Sequence, residues 1–552
     1  MAPPPTPPTT TTTFADWRAQ VDKELAGASF DRLVTQTPEG LPIQPLYVDG
    51  PVPVAATRGT PHAFGVCMRV PRGDLAALRD DLDGGADAVW IESGDDAAAS
   101  AAVAANHLVI IEVGSQRPLD ALTWAATRSA LSRGLLACDP ISAVVRGEQM
   151  AAELATHLAE LHSVARDLAS QKPAVRSACV STLAVHEAGA DAADELALAL
   201  STAVALLRAK VPARQLWLQV AVGRDTFGEV CKLRALRLCM AKVLAAAGVP
   251  DAAPPLHAVC STRTMADHDP WTNMLRVTTQ IFAAALGGAD LITPLPFDAS
   301  PGPASAHGRR VARNAALVLR EESHLGRVSD PAGGSYYIES RTDALAREAW
   351  SRFQAIEAAG GIVALLASGA LHARLAASWT RRAAAIARRR EPIVGVSEFA
   401  NLSESLPGDA VKSVNSAALT NLTASPAHRD AEAFDALRAR KLATTVALVT
   451  LGPASEHRGR VGFATALLAT AGLRASETAE PVAVDVAVLC GSDERYATEA
   501  AAMAERLRAA GCKHVVLAGK PGALEAPLRA AGVDQFVFVG CDVLAVLEEI
   551  TR

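Results

Sequence analysis

The chain has 552 residues, half of them hydrophobic, and its 53 lysines and arginines against 59 aspartates and glutamates give a formal net charge of −6. This length predicts two to four domains, and the acidic excess excludes the basic field that nucleic-acid binding needs. No apolar run reaches the roughly 18–20 residues of a membrane span, the start lacks signal-peptide features, and the cysteines lack metal-ligand spacing. We therefore expect a soluble, cytoplasmic protein with reduced thiols, no metal and no membrane or nucleic-acid partner.

The chain opens with a low-complexity proline and threonine segment, residues 1–13, which predicts a disordered tail. Four apolar side chains then recur at helical spacing: Phe14, Trp17, Val21 and Leu25. Gly27 ends this predicted helix, and the stretch that follows is punctuated by proline and glycine. We expect residues 14–50 to form an arm that packs either on a partner or on its own chain, with the apolar stripe as the interface candidate.

Short β-like runs alternate with alanine- and leucine-rich helical stretches from about residue 60 to 390. Seven runs have the composition of buried strands: 64–70, 87–93, 107–113, 176–182, 216–222, 256–262 and 289–295. Three helical stretches separate the later runs: 191–209, 227–247 and 271–287. Repeated βα units of this extent favour a (β/α)8 TIM barrel over residues 51–390, with a doubly wound open sheet as the alternative.

The composition changes after the barrel. Residues 391–440 are mostly polar and predict an interdomain linker. Four near-continuous apolar runs follow as predicted strands: 444–451, 484–491, 513–519 and 535–540. Helices are predicted between and after them: 459–472, 494–510, 523–531 and 541–551. Apolar strands of this kind lie in a parallel sheet covered on both faces, so residues 441–552 predict a flavodoxin-like α/β domain.

Three stretches of the barrel region have distinctive sequences: HEAGADAADELALAL (186–200), DPWTNMLRVTTQIFAAALGGADLITPLPFDA (269–299) and RNAALVLREESHLGRVSDPAGGSYYIESRTDALAREAW (313–350). Together with PIVGVSEF (392–399) and the opening FADWRAQVDKELAGASFDRL, they closely resemble the adenosylcobalamin-dependent methylmalonyl-CoA mutases. The resemblance covers nearly the whole chain beyond residue 13. It implies an acyl-CoA-binding TIM barrel followed by a cobalamin-binding domain, and the reversible conversion of methylmalonyl-CoA to succinyl-CoA.

The resemblance also identifies where this chain departs from catalytic members. Those members carry Gly-Tyr-His before the EAGAD motif, and this His hydrogen-bonds the thioester carbonyl. Here the corresponding residues are Thr182, Leu183 and Ala184, and a methyl group donates no hydrogen bond. His186 lies two residues after Ala184. Residues two apart on a strand point to the same face, so His186 stays open as a substitute donor to the thioester carbonyl.

Tyrosines give a second departure. Catalytic members have active-site tyrosines in the early half of the barrel, whereas this chain has no tyrosine between Tyr47 and Tyr336. We therefore expect no intact catalytic residue in this chain, which alone is not expected to be catalytic.

The second domain departs from the family at the positions that bind the cofactor in catalytic members. Cobalamin domains of this class carry Asp-x-His-x-x-Gly, whose His ligates cobalt while the Asp sets its tautomer. In the predicted loop GPASEHRGR (452–460), Ala454 takes the Asp position and Glu456 the His position. A register shifted by one makes His457 the candidate, although an exposed loop histidine is the simpler interpretation. The degenerate positions of the cofactor site are Ala454, Glu456, Gly459, Ser492 and Gly519.

Some members of the family are heterodimers, in which a large (alpha) chain binds substrate and cobalamin and a small (beta) chain of the same fold has lost both sites. The pattern here resembles the small chain. We therefore expect a subunit that binds no cofactor and supports a large catalytic subunit containing adenosylcobalamin. Two alternatives stay open: a divergent cobalamin-dependent acyl-CoA mutase that acts alone, and a non-enzymatic scaffold protein using the mutase fold.

Overall fold

The structure, a computed structural model, describes residues 12–51, 63–92, 94–104, 107–113, 119–120, 131, 133–300, 304–404 and 424–551. Residues 1–11 of the predicted tail and 405–423 of the predicted linker lie outside the described residues. The arm contains one α-helix, Phe14–Glu24, and two short antiparallel strands, β1 (Thr35–Gln36) and β2 (Pro42–Ile43).

Eight parallel strands of the described chain close a barrel: β3 (Gly65–Arg69), β4 (Ala88–Glu92), β5 (Leu108–Glu112), β6 (Gly134–Cys138), β7 (Val175–Ser181), β8 (Leu216–Val222), β9 (Leu256–Cys260) and β10 (Leu291–Thr293). The last strand, β10, pairs with both β9 and β3. The closed sheet confirms the predicted TIM barrel, and the doubly wound open sheet is wrong for this part of the chain.

One barrel strand, β6, is missing from the sequence prediction. Its residues, GLLAC, include no β-branched or aromatic side chain, which are the types that mark a strand in sequence. Its pairing with β5 and β7 in the closed sheet determines its structure. Tertiary pairing therefore overrides a weak local preference at this position.

Helices alternate with the barrel strands, and their bounds are Leu75–Asp83, Asp96–Ala104, Pro140–Val145, Leu154–Gln171, Leu183–Glu187, Ala192–Arg208, Thr226–Ala246, Pro270–Leu286, Ala306–Glu321, Tyr336–Ala358, Gly361–Ala367 and Ala370–Ala387. The three helices predicted in this region agree with the structure to within one residue at each end. Asp191 and Asp225 cap two of them through side-chain hydrogen bonds to backbone N–H groups, and Pro270 begins the third.

Side chains fill the interior of the barrel, where buried apolar residues of the strands meet: Cys67, Ala88, Trp90, Ile110, Leu135, Cys179, Trp217, Val259 and Leu291. Trp217 is fully buried, and its indole N–H donates a hydrogen bond to the carbonyl of Leu136 at 3.1 Å. The barrel interior is therefore a packed core, and a second apolar layer lies between the strands and the surrounding helices.

The residues 424–551 contain a parallel sheet of five strands: β11 (Val446–Thr450), β12 (Ala475–Thr478), β13 (Val486–Cys490), β14 (His514–Ala518) and β15 (Gln535–Val537). Their order is β12-β11-β13-β14-β15, which is the flavodoxin-type order and confirms the predicted fold class. The edge strand β12, ASET, is missing from the sequence prediction because its polar residues are partly exposed and lack the apolar signal.

Helices also accompany this sheet, with bounds Glu432–Ala439, Ala454–Ala469, Asp493–Arg495, Ala501–Ala509, Glu525–Ala530 and Val543–Ile550. Phe434 and Leu437 of the first helix are buried in the same apolar cluster as β11 and β13. Among all described residues, no single helix is long and apolar enough to cross a membrane, and one bent helix pair passes on length and composition alone.

Candidate functional site

Thr182, Leu183 and Ala184 follow β7 directly, at the carboxyl end of the barrel where this fold places its catalytic side chains. Thr182 is buried, and its hydroxyl accepts a hydrogen bond from the backbone N–H of Ala221 at 3.1 Å. Ala184 is 4% exposed and packs in the apolar layer outside the strands. These side chains therefore contribute to packing, and Thr182 also makes one hydrogen bond to the backbone.

His186 lies beside these positions, on the short helix Leu183–Glu187 and not on a strand. The strand-based argument for a shared face is therefore wrong. The ring is 1% exposed, with Nδ1 2.6 Å from Glu195 Oε1 and Nε2 2.7 Å from Ser261 Oγ. Burial, together with the nearby Arg263, lowers the pKa of His186 to about 4, so the ring is neutral near pH 7. These partners assign the proton to Nδ1, which donates to Glu195.

Ser261, His186 and Glu195 thus form a hydroxyl–imidazole–carboxylate chain at the carboxyl ends of β7 and β9, the order of groups that activates a serine nucleophile. Lys232 Nζ lies 3.0 Å from Glu195 Oε2. Although burial alone would raise it, Lys232 and His186 lower the pKa of Glu195 to about 2. Since Ser261 is only 3% exposed, the hydrogen bonds are internal and the chain of groups supports the core in this structure.

Sequence reasoning missed Glu195, Lys232 and Ser261 as partners of His186. They come from three separate parts of the chain, and the pairing of β7 with β8 and of β8 with β9 brings these parts together. No local motif could have identified the set.

A segment that we name the strap, residues 424–430, lies across the loops at the carboxyl end of the barrel. Its backbone N–H groups donate to carbonyl oxygens of the segments that follow β6, β7 and β9: Ser425 to Val145 at 2.9 Å, His428 to Glu187 at 2.8 Å and Asp430 to Arg263 at 2.8 Å. Asp430 also accepts from Arg382 Nε at 2.7 Å and from Arg224 Nε at 3.1 Å. The strap is therefore anchored over the end of the barrel where substrates bind in this fold.

The cofactor positions lie at the carboxyl end of the second sheet. Three residues separate β11 from helix Ala454–Ala469, so Ala454, Glu456 and Gly459 lie on a helix and not in the predicted loop. His457 is on the same helix and is half-buried, and its Nδ1 finds no hydrogen-bond partner among the described residues. The expectation of an exposed loop histidine is therefore wrong.

The carboxylate of Glu456 pairs with the guanidinium group of Arg495. Arg495 Nε lies 2.7 Å from Glu456 Oε2, and its Nη1 donates to Glu499 at 2.5 Å. The hydrogen bond from Arg495 lowers the pKa of Glu456, so this position carries a carboxylate where cobalt ligation would need an imidazole. Ser492 Oγ accepts from the backbone N–H of Arg495 and caps the next helix.

Arg460 and Tyr496 fill the crevice beside Gly519, at the carboxyl ends of β13 and β14. Arg460 donates to the carbonyl of Ala518, and its guanidinium lies where a side chain at Gly519 would begin. Tyr496 Oη donates to the same carbonyl at 2.8 Å and accepts from Gly491 N–H at 2.9 Å. Ligands of this fold bind outside the carboxyl ends of the strands, at the switch point between β11 and β13, which adjoins this crevice. A filled crevice and a carboxylate at Glu456 do not fit cobalamin.

Metal ligands are missing from the described part of the chain, where no group of three or more His, Cys, Asp or Glu side chains could hold an ion. The nine cysteines are all buried free thiols. The described geometry therefore offers no metal centre.

The predicted interface candidates lie on helix Phe14–Glu24 and just after it, and each of the four side chains is at least partly exposed: Phe14, Trp17, Val21 and Leu25. Phe14 is 46% exposed and its ring lies 5.3 Å from that of Trp17. Trp17 in turn contacts Phe30 edge-on at 6.2 Å. The stripe thus packs against the arm itself and leaves apolar area open to solvent.

The second half of the arm, which we name the proximal arm (residues 35–50), packs on the barrel. Glu39 Oε1 accepts from Ala192 N–H at 3.0 Å, and Tyr47 contacts Tyr337 edge-on at 5.4 Å. The arm therefore combines a segment fixed to its own chain with an exposed apolar helix.

Comparisons with known proteins agree with this architecture. A family model described as methylmalonyl-CoA mutase matches residues 121–462. The methylmalonyl-CoA mutase small subunit of Streptomyces virginiae is 36% identical over 95% of this chain and 93% of its own length. The small subunit of Propionibacterium freudenreichii subsp. shermanii is 31% identical over 95% of this chain and 91% of its own. That of Porphyromonas gingivalis is 31% identical over 69% of this chain and 66% of its own.

Proposed function

The chain belongs to the methylmalonyl-CoA mutase family, and we propose that it is a non-catalytic small subunit that supports a larger, catalytic mutase subunit. The observation that carries the non-catalytic role is that both sites are altered while the framework is intact. Ala184 offers no donor to a thioester carbonyl, and Glu456 offers a paired carboxylate to cobalt.

The cofactor of this family is adenosylcobalamin, and we propose that only the partner subunit binds it. Arg460 and Tyr496 support this proposal because their hydrogen bonds to the Ala518 carbonyl keep both side chains in the crevice. A cofactor would have to displace the guanidinium and the phenol and leave these groups without their present partners. Displacement of two such groups opposes binding.

The name small subunit, carried by the relatives, implies a larger partner subunit. We propose that this partner forms a heterodimer with the present chain and covers the stripe on helix Phe14–Glu24. An exposed phenylalanine beside a partly exposed tryptophan on one helix face is the kind of aromatic pair that interfaces bury at their centre.

The experiment that tests this function compares the purified chain with its mixture with the large subunit. We expect the chain alone to form no succinyl-CoA from methylmalonyl-CoA and to retain no adenosylcobalamin after equilibrium dialysis. The mixture should be active and contain cobalamin. Turnover by the chain alone would favour the stand-alone mutase, and an active large subunit that never associates with this chain would favour the scaffold role.

A further inference from the structure

Helix Phe14–Glu24 holds two aromatic rings side by side on its surface. The rings of Phe14 and Trp17 lie 5.3 Å apart, and Phe14 is 46% exposed. On the other side of Trp17, the ring of Phe30 makes an edge-on contact, and the guanidinium of Arg18 lies 3.6 Å from the centre of the Phe30 ring. Since Arg18 covers one face of Phe30, the open part of the stripe is formed by Phe14 and Trp17.

The segment that precedes this helix has the composition that exposed aromatic rings bind. Residues 3–8 read PPPTPP, and residues 1–13 contain no charged side chain. Proline-rich segments favour the polyproline II conformation and dock on aromatic surfaces. Because proline has a fixed φ and loses no side-chain entropy on burial, ordering such a segment costs less than ordering other residues. The proline run, as we name residues 3–8, therefore matches the exposed rings in its chemistry.

The proline run is also close to the stripe along the chain. Thr13 is the N-cap of the helix, so residues 9–12 connect the run to the helix. Four residues are sufficient to reverse the direction of a chain. The run spans about 19 Å in the polyproline II conformation, at 3.1 Å per residue, and the stripe from Phe14 to Leu25 spans about 16 Å, at 1.5 Å per residue. The two lengths therefore match, and so short a loop costs little closure entropy.

We propose that the proline run folds back on its own helix and covers Phe14 and Trp17 while the chain is alone. The occupant is the tail of the same copy, because the short connection holds it at an effective concentration in the millimolar range. The large subunit has to displace the run to reach the stripe, so the contact is autoinhibitory. This last step rests on the proposed subunit role, whereas the docking of the run does not.

Hydrogen exchange of the helix amides, measured on the full chain by mass spectrometry, tests the docking. The five-serine variant removes every proline of the run and keeps the helix and its cap: Pro3→Ser, Pro4→Ser, Pro5→Ser, Pro7→Ser and Pro8→Ser. We expect its helix amides to exchange about three- to tenfold faster, because docking stabilises the helix against local opening. Equal exchange in the five-serine variant and the wild type would overturn the proposal.

The matched control changes the same tail but keeps its prolines. Thr9→Ser combined with Thr10→Ser and Thr11→Ser should leave the exchange of the helix amides as in the wild type. Faster exchange in this control, equal to that of the five-serine variant, would show that the prolines are not the cause and contradict the proposal.

Two further measurements identify the surface and the copy that supplies the run. Phe14→Ser should at least halve the difference in exchange that the five serines cause, whereas Phe399→Ser, at a phenylalanine that is 81% exposed elsewhere, should leave it unchanged. A difference that survives in Phe14→Ser would place the run on another surface. Protection should be the same at about 1 µM and about 50 µM protein, and a rise with concentration would assign the run to a second copy; either result contradicts the proposal.

The autoinhibitory step is tested by the affinity for the large subunit. Removal of a competing occupant should increase this affinity in the five-serine variant by the same factor by which exchange becomes faster. Unchanged affinity together with faster exchange would show that the run docks without competing. This outcome would contradict the autoinhibitory step and the interface proposed for the large subunit, and it would support the docking.

Discussion

His186 is held neutral at a position where Glu195 and Ser261 use both of its ring nitrogens. Protonation would place a second positive charge beside Lys232 in a buried site. The low pKa of His186 therefore follows from its burial and its cationic neighbours, and it makes the stability of this chain depend on pH.

The first prediction is a loss of stability in mild acid. The folded pKa of His186 is about 4 and its ordinary value is 6.5. Between these values the unfolded chain binds more protons, so the stabilisation is complete above pH 6.5 and is lost as the pH falls towards 4. His186 contributes about 3 kcal/mol to this loss, at 1.36 kcal/mol per pKa unit.

Urea unfolding at pH 7 and pH 5 measures this loss. His186→Gln should reduce the difference between the two pH values, whereas His307→Gln, at an exposed histidine, should leave it unchanged. An equal pH dependence in His186→Gln and the wild type would show that the buried ring does not cause the effect.

The second prediction concerns the cofactor position. Combining Ala454→Asp with Glu456→His restores the residue types of the family motif, but Arg460 and Tyr496 still fill the crevice. We expect the double variant to bind no cobalamin in absorbance titrations and to show no turnover, since Ala184 still lacks a donor. Turnover by this variant alone would prove the assignment of these positions wrong.

The arm helix, Phe14–Glu24, has no buried residue along its whole length. Helix Phe14–Glu24 has a complete capping box, in which Thr13 and Asp16 satisfy each other's backbone N–H groups. A helix that is well capped yet exposes Phe14 is stable enough to present an apolar face to a partner.

The third prediction separates this face from the fold. Trp17→Asp with Leu25→Asp should leave the melting temperature of the isolated chain nearly unchanged, because both side chains lie outside the barrel core. Burial of each side chain is worth about 1.5–3 kcal/mol. If half of this is lost at the interface for both side chains, affinity for the large subunit falls by about ten- to a hundredfold.

Pull-down with the large subunit and thermal melts on the same variants measure both effects. Ala19→Asp, on the opposite face of the helix, is the matched control. Deletion of residues 1–50 is a less selective test, because it also removes the contacts of Glu39 and Tyr47 with the barrel. A double variant that melts early but still pairs would show that the stripe packs on its own chain.

At the scale of the whole molecule, ion pairs connect the barrel to the second domain. Arg429 pairs with Asp267 of the barrel and with Asp435 of helix Glu432–Ala439, each at 2.8 Å. His268 Nδ1 lies 3.0 Å from Asp435 Oδ1. The side chain of Asp430, which is 1% exposed, joins the strap to Arg224 and Arg382. The two units therefore pack through charged groups as well as through apolar side chains.

The fourth prediction follows from the burial of Asp430. Asp430→Asn removes the negative charge that faces three arginines and should lower the free energy of unfolding by about 3–5 kcal/mol, as for other broken buried pairs. Asp493→Asn, which removes a 78% exposed partner of Arg460, should cost less than about 1 kcal/mol. Urea denaturation measures the free energy of unfolding of both variants. Equal losses of this free energy would contradict the role of burial.

Local sequence patterns and motifs were sufficient to predict the fold class and the family. Apolar periodicity is local, so the helices at 192–208, 226–246 and 270–286 agree with their predictions to within one residue. The strands β6 and β12 were missed because their side chains carry no β signal, and only pairing within a sheet makes them strands. Motifs such as DPAGGSYY identified the family, whereas the departures at single positions stay predictions.

The side chains that occupy the predicted site positions depend on tertiary contacts that local sequence does not contain. Neither the hydrogen bond between His186 and Ser261 nor that between Arg460 and Ala518 is visible in local sequence, since each joins residues more than fifty positions apart. The ion pairs of Lys232 with Glu195 and of Asp430 with Arg382 likewise join residues 37 and 48 positions apart. Local preference acts over a few residues, whereas burial and ion pairing depend on which distant side chains the closed barrel and the strap bring into contact.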